Sequence, residues 1–346
     1  MSVSNEQNQD LWKAEAVAFY ALQSIKGVGF HTLYKVASME IWFRELLKTR
    51  DQNHFQKMLR IKLDDSITKD IESWEAYQHE LWTNGLDIAR NLASQNIKVI
   101  FFRQDIFPKQ LCGITEPPMW LFVQGVLQNL NRPSVAIVGS RKSSEEGKWL
   151  TKYIIAALVG TPLVTVSGLA DGIDQKAHIE SMAFGIPTVA ILGTGIDSNY
   201  PKGSEGIRNE ILAKGGTIVS EYLLGQSYSA ENFIRRNRIQ AGLSNAVIPV
   251  EWKIKSGTAH TVGFAKKYQR HLLMPYLANA ISIEKEKESI SSYSKGMTFL
   301  VPNDSSQLIA LMCSFTLDDI YVTSSADCEA REQLPFDLKA IYGSKT

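Results

Sequence analysis

The chain has 346 residues, a formal net charge of +1, and 44% hydrophobic against 21% charged residues. That length exceeds the roughly 250–300 residues at which a single core stops growing, so more than one packed unit is expected. The composition excludes a disordered or fibrous chain, and the near-neutral balance excludes a protein coated in basic surface.

Residues 11–60 carry apolar positions at helical spacing, broken by Lys26-Gly27-Val28-Gly29. This pattern predicts helix, tight turn, helix. Glycines at 27 and 29 would let backbone amides approach a nucleic-acid phosphate, but with no basic residue beyond Lys26 flanking the turn, a plain helical turn is the better account. A further helix is expected over about 68–93. The β-type run at 97–102 and the run at 120–123 follow, with Pro108 and the Pro117-Pro118 pair marking turns.

From Ser134 onward, short apolar runs at 135–138, 163–166, 188–192, 217–219, 246–250 and 271–274 alternate with helical segments. That rhythm is βαβ, and continuously apolar strands belong to a parallel sheet covered on both faces. The expected fold is therefore α/β: an extended Rossmann-like, mostly parallel sheet with helices on both faces, preceded by a small helical domain. The boundaries expected are 1–85 for the helical domain, 86–280 for the Rossmann-like domain with its core at 131–280, and 281–346 for a C-terminal region. In that last region the segment 281–296 is a charged connector, MTFLV is one more strand candidate, and 307–314 is a short helix. The final 25 residues are expected to be poorly ordered.

No stretch approaches the roughly 18 uninterrupted apolar residues of a membrane span, and MSVSNEQNQD is no leader. A cytoplasmic protein without membrane contact is expected. Cys112, Cys313 and Cys328 are too scattered for a metal knuckle, so each is expected as a small buried hydrophobe and no metal site is anticipated.

The expected strands end in small residues: Gly139-Ser140-Arg141, Ser167-Gly168-Leu169-Ala170 and Gly193-Thr194-Gly195. In a parallel sheet these ends share one edge, where ligands bind. Exposed amides, helix N-termini and the Ser140 and Thr194 hydroxyls suit a phosphate there, with glycines needed only for tight turns as the alternative. Neither G-x-G-x-x-G nor the P-loop pattern is present, so no cofactor is expected.

Positive charge is concentrated nearby: Lys and Arg outnumber Asp and Glu by 11 to 5 over 201–280, against 6 to 6 over 131–200. Three arginines, 235, 236 and 238, fall within four residues. They cannot share one side of a helix, so at least one is expected to enter the crevice while another faces solvent or a neighbour. A guanidinium fork suits a phosphodiester. Lys253 follows the next strand. Asp174 and His178 lie four apart on one helical face, but a local role is the better account: a helix cap and a packed ring. No nucleophile with a base and no paired-carboxylate signature is evident, and no catalytic residue is expected.

Together, VAIVGSR at 135–141, TVSGLADGID at 165–174 with Ala177-His178, and VAILGTGIDSNYP at 189–201 form an ordered set. IVSEY at 218–222, NFIRRNRIQAGLS at 232–244, VIPVE at 247–251 and SGT at 256–258 continue it. These phrases resemble the DNA-processing protein A family, DprA or Smf, over about residues 15–280, with IKGVG similar to its helical domain of SAM or helix-hairpin-helix type. The resemblance implies a non-enzymatic, homodimeric protein that binds single-stranded DNA and assists a RecA-type recombinase during natural transformation. It implies phosphate contacts from Ser140 and Arg141 beside Gly139, an adjacent loop at Gly168 and Ala170, and a basic pocket motif at Arg236, Asn237 and Arg238. Tyr200 and Phe233 are candidate stacking platforms, or core.

Three departures stand out. Asp171 places a carboxylate in the second loop, WKIKSGTAHTV replaces the commoner phrase after VIPVE, and the acidic tail lacks a winged-helix pattern. They allow a divergent paralogue in defence or mobile-element biology. A nucleotide-sensing or nucleotide-cleaving Rossmann protein is the alternative reading, and a purely structural partner-binding protein a third. A closed pocket around the 139, 168 and 193 loops would favour a nucleotide; a basic groove running toward Lys253 and Lys266 would favour a strand.

Overall fold

A computed structural model describes residues 5–275 and the segment 298–300. Six helices come first: α1 Asn5–Gln23, α2 Phe30–Ser38, α3 Phe43–Leu47, α4 Gln52–Leu59, α5 Asp65–Thr68 and α6 Ile71–Ser94. Strand β1 Ile97–Phe101, the turn-length helix α7 Lys109–Cys112 and strand β2 Trp120–Gly125 lead into the alternating part. There β3 Ser134–Gly139, α8 Glu145–Ala157, β4 Val164–Ser167, α9 Ile173–Ala183, β5 Thr188–Ile191, α10 Glu205–Ala213 and β6 Thr217–Ser220 succeed one another. Then come α11 Ala230–Leu243, β7 Ala246–Val250, α12 Gly257–Lys267, β8 His271–Pro275 and β9 Thr298–Leu300. Every strand expected from the sequence is present, with ends shifted by one or two residues. The helix expected at 307–314 and the rest of the C-terminal region fall outside the described residues, as do Cys313 and Cys328.

The strands form one sheet in the order β1-β2-β6-β5-β4-β3-β7-β8-β9. All neighbours from β6 to β9 are parallel, whereas β1–β2 and β2–β6 are antiparallel. Beginning at β3, successive strands step outward to β6. The chain then returns through α11 to place β7 on the other side of β3. The fold is thus α/β and doubly wound, and its strand order reverses between β3 and β7.

Alternate residues of the strands face opposite layers. On one face, α8 and α9 pack Leu150, Ile154, Ile155 and Ile173 against Val135, Ile137, Ile248 and Val250. Further along that face, the N-terminal helices bring Phe19, Phe30 and Phe43 onto Phe101, Trp120, Phe122 and Tyr222. The opposite face carries α11 and α12, whose Ile239, Ala241, Val262 and Ala265 meet Val138, Val166, Ile191 and Val247. Strands enclosed on both sides must be apolar throughout, which is why they read as unbroken runs.

The N-terminal helices therefore share their core with the sheet, and the boundary expected at 85 falls inside α6. Gly85 is required there for contact: a Cβ would collide with the Val17 carbonyl and Ala21 of α1. Glu15 of α1 is buried and accepts from the amides of Phe43 (2.7 Å) and Arg44 (3.1 Å), closing the start of α3. Cys112 departs from expectation, because it lies exposed at the end of α7, where a four-residue helix offers no core to bury it. Among the described residues, no helix is long and apolar enough to cross a membrane.

Candidate nucleic-acid interface

A crevice of about 1190 Å³ opens where the strand order reverses, at the C-terminal ends of β3 and β7. Its walls come from the 139–142 turn, the first turns of α8 and α12, α11, and the segment after β7. This is the place where parallel α/β sheets bind ligands, because helices on either side diverge to opposite faces.

The turn after β3 holds itself. Ser140 Oγ donates to the Lys142 carbonyl (3.0 Å) and accepts from the Lys142 amide (3.2 Å), leaving Arg141 and Lys142 exposed at the rim. Across the crevice, α12 begins at Ser256, whose hydroxyl donates backward to the Lys253 carbonyl (2.5 Å) and caps no helix amide. Gly257 faces open space, and Thr258 Oγ1 ties this helix to the Gly139 carbonyl (3.0 Å). An uncapped N-terminus beside a crevice lined by Arg141, Lys142, Arg236 and Lys253, against Glu146, Asp174 and Glu251, can take an anion. Glu251 makes the sharp exit from β7 with φ +48° and accepts from the Ser144 amide (2.8 Å) at the start of α8.

Helix α11 starts at Ser229, whose side chain accepts from the Asn232 amide. At about 100° per residue its arginines must diverge. Arg236, only 3% exposed, forms part of the crevice lining and donates to the carbonyls of Gly168 (2.7 Å) and Ile191, joining the ends of β4 and β5. Asn237 accepts from Arg236 Nε (3.1 Å) and donates to the Gly257 carbonyl (3.2 Å). Arg238 turns the other way, into a bidentate pair with Glu221 (2.7 and 2.6 Å) plus a bond to the Glu116 carbonyl (2.8 Å). Arg235 lies over the rings of Phe30 (4.8 Å) and Tyr34 (5.0 Å) of α2.

Within the crevice lining, the buried Asp174 accepts from the Gly168 amide (3.1 Å) and faces the field of Arg236. Burial raises its pKa, opposed by that guanidinium and by backbone amides. Burial lowers the Arg236 pKa, yet a guanidinium retains its proton in proteins. His178 is enclosed, with Nδ1 2.8 Å from Thr188 Oγ1 and Nε2 unpartnered. Burial first, then the Arg236 charge, push its pKa down to about 3, so the ring is neutral.

Of the site residues expected from sequence, Gly139, Ser140, Arg141, Ala170, Arg236, Asn237 and Lys253 line the crevice. Gly168, Thr194 and Arg238 do not. A Cβ at Gly168 would strike the Arg236 guanidinium, and one at Gly193 the Phe233 ring. These glycines make room for α11 side chains, where exposed amides were anticipated. Thr194 is buried, its hydroxyl bonded to the Gly195 carbonyl. Arg238 has its guanidinium consumed by Glu221 and carbonyls. Asp171 is exposed and outside the lining, so it adds no carboxylate to the site. Lys142, Ser256, Gly257, Thr258 and His260 line the crevice unanticipated. The Ser-Gly-Thr after β7 offered the same small-residue signal as the earlier strand ends.

One wall is aromatic. Tyr200 stacks on Tyr228 (4.4 Å) and contacts Phe233 (5.2 Å), and the Arg141 guanidinium lies 5.3 Å from the Phe233 ring centre. Both expected platforms thus border the crevice, joined by the exposed Tyr228.

The family model for DNA recombination-mediator protein A matches residues 98–309, more than half of the chain. The chain belongs to that family. A protein Smf from Synechocystis is 34% identical over 217 residues, covering 62% of this chain and 53% of the relative. DNA processing protein DprA from Streptococcus pneumoniae is 40% identical over 157 residues, covering 45% and 55% respectively. The chain spans about half the length of the curated relatives it matches. Among solved structures, the Streptococcus pneumoniae DprA superposes with a TM-score of 0.57 at 25% identity, over 87% of this chain and 95% of the other. DNA processing protein A from Helicobacter pylori, reported for its unique single-stranded DNA binding mode, gives a TM-score of 0.54 at 25% identity. It covers 63% of this chain and 96% of its own.

Proposed function

We propose that this chain binds single-stranded DNA in the crevice at the β3–β7 switch point and serves DNA processing, with delivery of the strand to a RecA-type recombinase as its place in recombination. The observation that carries the reading is the set of cations at that crevice. Arg141, Lys142 and Lys253 are exposed along its rim, and none has an ion-pair partner among the described residues. Beneath them, Arg236 supplies a fixed buried charge. The Ser140–Lys142 turn and the start of α12 provide hydrogen-bond donors for phosphate, and Tyr200, Tyr228 and Phe233 offer flat surfaces to bases. Such contacts give affinity with little base preference.

The 168 and 193 loops that would close around a nucleotide are filled by Arg236 and Phe233. No side chain in this reading acts as nucleophile or general base, and the role is binding. A homodimer, implied by the family resemblance, would present two such crevices to one strand.

The test is fluorescence anisotropy with a labelled single strand and its duplex, comparing wild type with Arg141→Ala and Lys253→Ala. Each variant is expected to lose about three- to tenfold in single-strand affinity without altered base preference, by the reasoning for phosphate-contacting residues. Undiminished binding in both removes the crevice as the site.

A further inference from the structure

Helix α8 carries an aromatic residue that the core does not need. Its buried face is Gly147, Leu150, Thr151, Ile154 and Ile155. Trp149 points away from these and is 48% exposed. Its ring stacks on Tyr153, with centroids 5.4 Å apart and planes 14° from parallel. A ring already held by a second ring loses little freedom when a third joins it.

Around Trp149, a shallow concavity is lined by Lys148, Lys152 and Lys176 with Glu145 and Glu146. Lys148 pairs with Glu145 (2.6 Å) and Lys176 with Glu180 (2.5 Å). Lys152 is exposed and has no ion-pair partner among the described residues, and it lies three residues from Trp149 on the same helical face. An aromatic surface beside a free cation is the pairing that single strands use: a base on the ring, a phosphate on the ammonium.

This concavity adjoins the crevice. Ser144, Glu146 and Gly147 line the crevice, while Glu145, Glu146 and Trp149 line the concavity. Ser144 and Trp149 are five residues apart, about 7.5 Å along the helix axis. Lys142 stands at the crevice rim where a strand would cross onto α8. Glu146 borders both spaces without an ion-pair partner among the described residues, so a phosphate is disfavoured on the ridge itself and a base is better placed there.

We infer that Trp149 is a stacking platform for a base of single-stranded nucleic acid leaving the crevice over the first turn of α8, with Lys152 holding the adjoining phosphate. The inference rests on the crevice reading above and extends the strand path beyond it.

Two oligothymidylates separate the claims: a tetranucleotide short enough to sit in the crevice, and a dodecanucleotide long enough to reach α8. Trp149→Ala is expected to lower dodecanucleotide affinity at least about fivefold, from the roughly 1–3 kcal/mol that a stacked base contributes, and to leave the tetranucleotide unchanged. Trp149→Phe keeps a ring and is expected to retain most of the affinity, which excludes a folding defect. A dodecanucleotide carrying 5-bromodeoxyuridine should photocrosslink to the peptide containing Trp149. Equal dodecanucleotide affinity in Trp149→Ala and wild type overturns the platform. Arg141→Ala in the same series distinguishes the failures: if it weakens both lengths, the crevice stands and only the extension falls.

Discussion

Arg238 and Glu221 show what a charged residue of this sequence can be for when it is not for a ligand. Both are 2% exposed at the side chain, and their two-point contact is the closest buried pairing of opposite charges among the described residues. A buried pair contributes little net stability over apolar residues of similar size, but loss of one member strands the other. Glu221→Ala is therefore expected to destabilise by about 3–5 kcal/mol in urea unfolding, and the double change Glu221→Leu with Arg238→Met to recover much of it. His178 couples folding to pH. Its folded pKa, about 3, is depressed below the ordinary value of 6.5, so the unfolded chain binds the extra proton and stability falls as pH drops below 6.5. Between pH 7 and 5 wild type should lose about 2 kcal/mol from this group, and His178→Gln distinctly less. Asp174 shifts upward and pulls in the opposite direction, but it is present in both proteins and cancels in the comparison. The sequence showed three arginines and the need for them to diverge. It did not show which went where, because Glu221, Phe30 and the Gly168 carbonyl, which sort them, are distant in sequence and meet them only in the fold.

At the scale of elements, strands were legible because enclosure on both faces writes itself as a continuous apolar run. Helix ends were less so. The start of α12 contributes Ser256, Gly257 and Thr258 to the crevice; Ser256 reads in sequence as an ordinary N-cap, and only the fold shows that its hydroxyl caps no amide. Conversely, Gly168 and Gly193 looked like exposed-amide positions because a sequence cannot distinguish a glycine that admits a ligand from one that admits a neighbouring side chain. Helix α8 places acidic residues on the proposed path of the strand. Its first turn holds Glu145 and Glu146, which favour the helix dipole but oppose a passing phosphate. Glu146→Gln should tighten dodecanucleotide binding by about two- to fivefold, the size of a charge interaction of about 1 kcal/mol at solvent-exposed distance. Anisotropy in low salt is the measurement, and weakened or unchanged binding would contradict the proposed path.

For the whole molecule, net charge was the least informative quantity, since +1 overall conceals three cations gathered at one crevice without ion-pair partners among the described residues. If those three are the exposed phosphate contacts, the logarithm of affinity should fall with the logarithm of salt concentration at a slope near −2, by about 0.7 per contact for single strands. Lys253→Ala should flatten it by about 0.7. The division of labour among the layers was also hidden: an N-terminal helical segment could be recognised as helical, but not as one wall of the core beneath β1, β2 and β6. That arrangement bears on any attempt to isolate the Rossmann-like part. A fragment beginning at residue 131 would lack β2, which pairs with β6 through Phe122–Gly125. It would also leave Leu192, Ile218 and Tyr222 without the aromatic layer that covers them. A bare strand edge beside an uncovered apolar face is a template for self-association, so such a fragment should be recovered as aggregate. A fragment that keeps β1, β2 and the helices packed on them is expected to stay soluble.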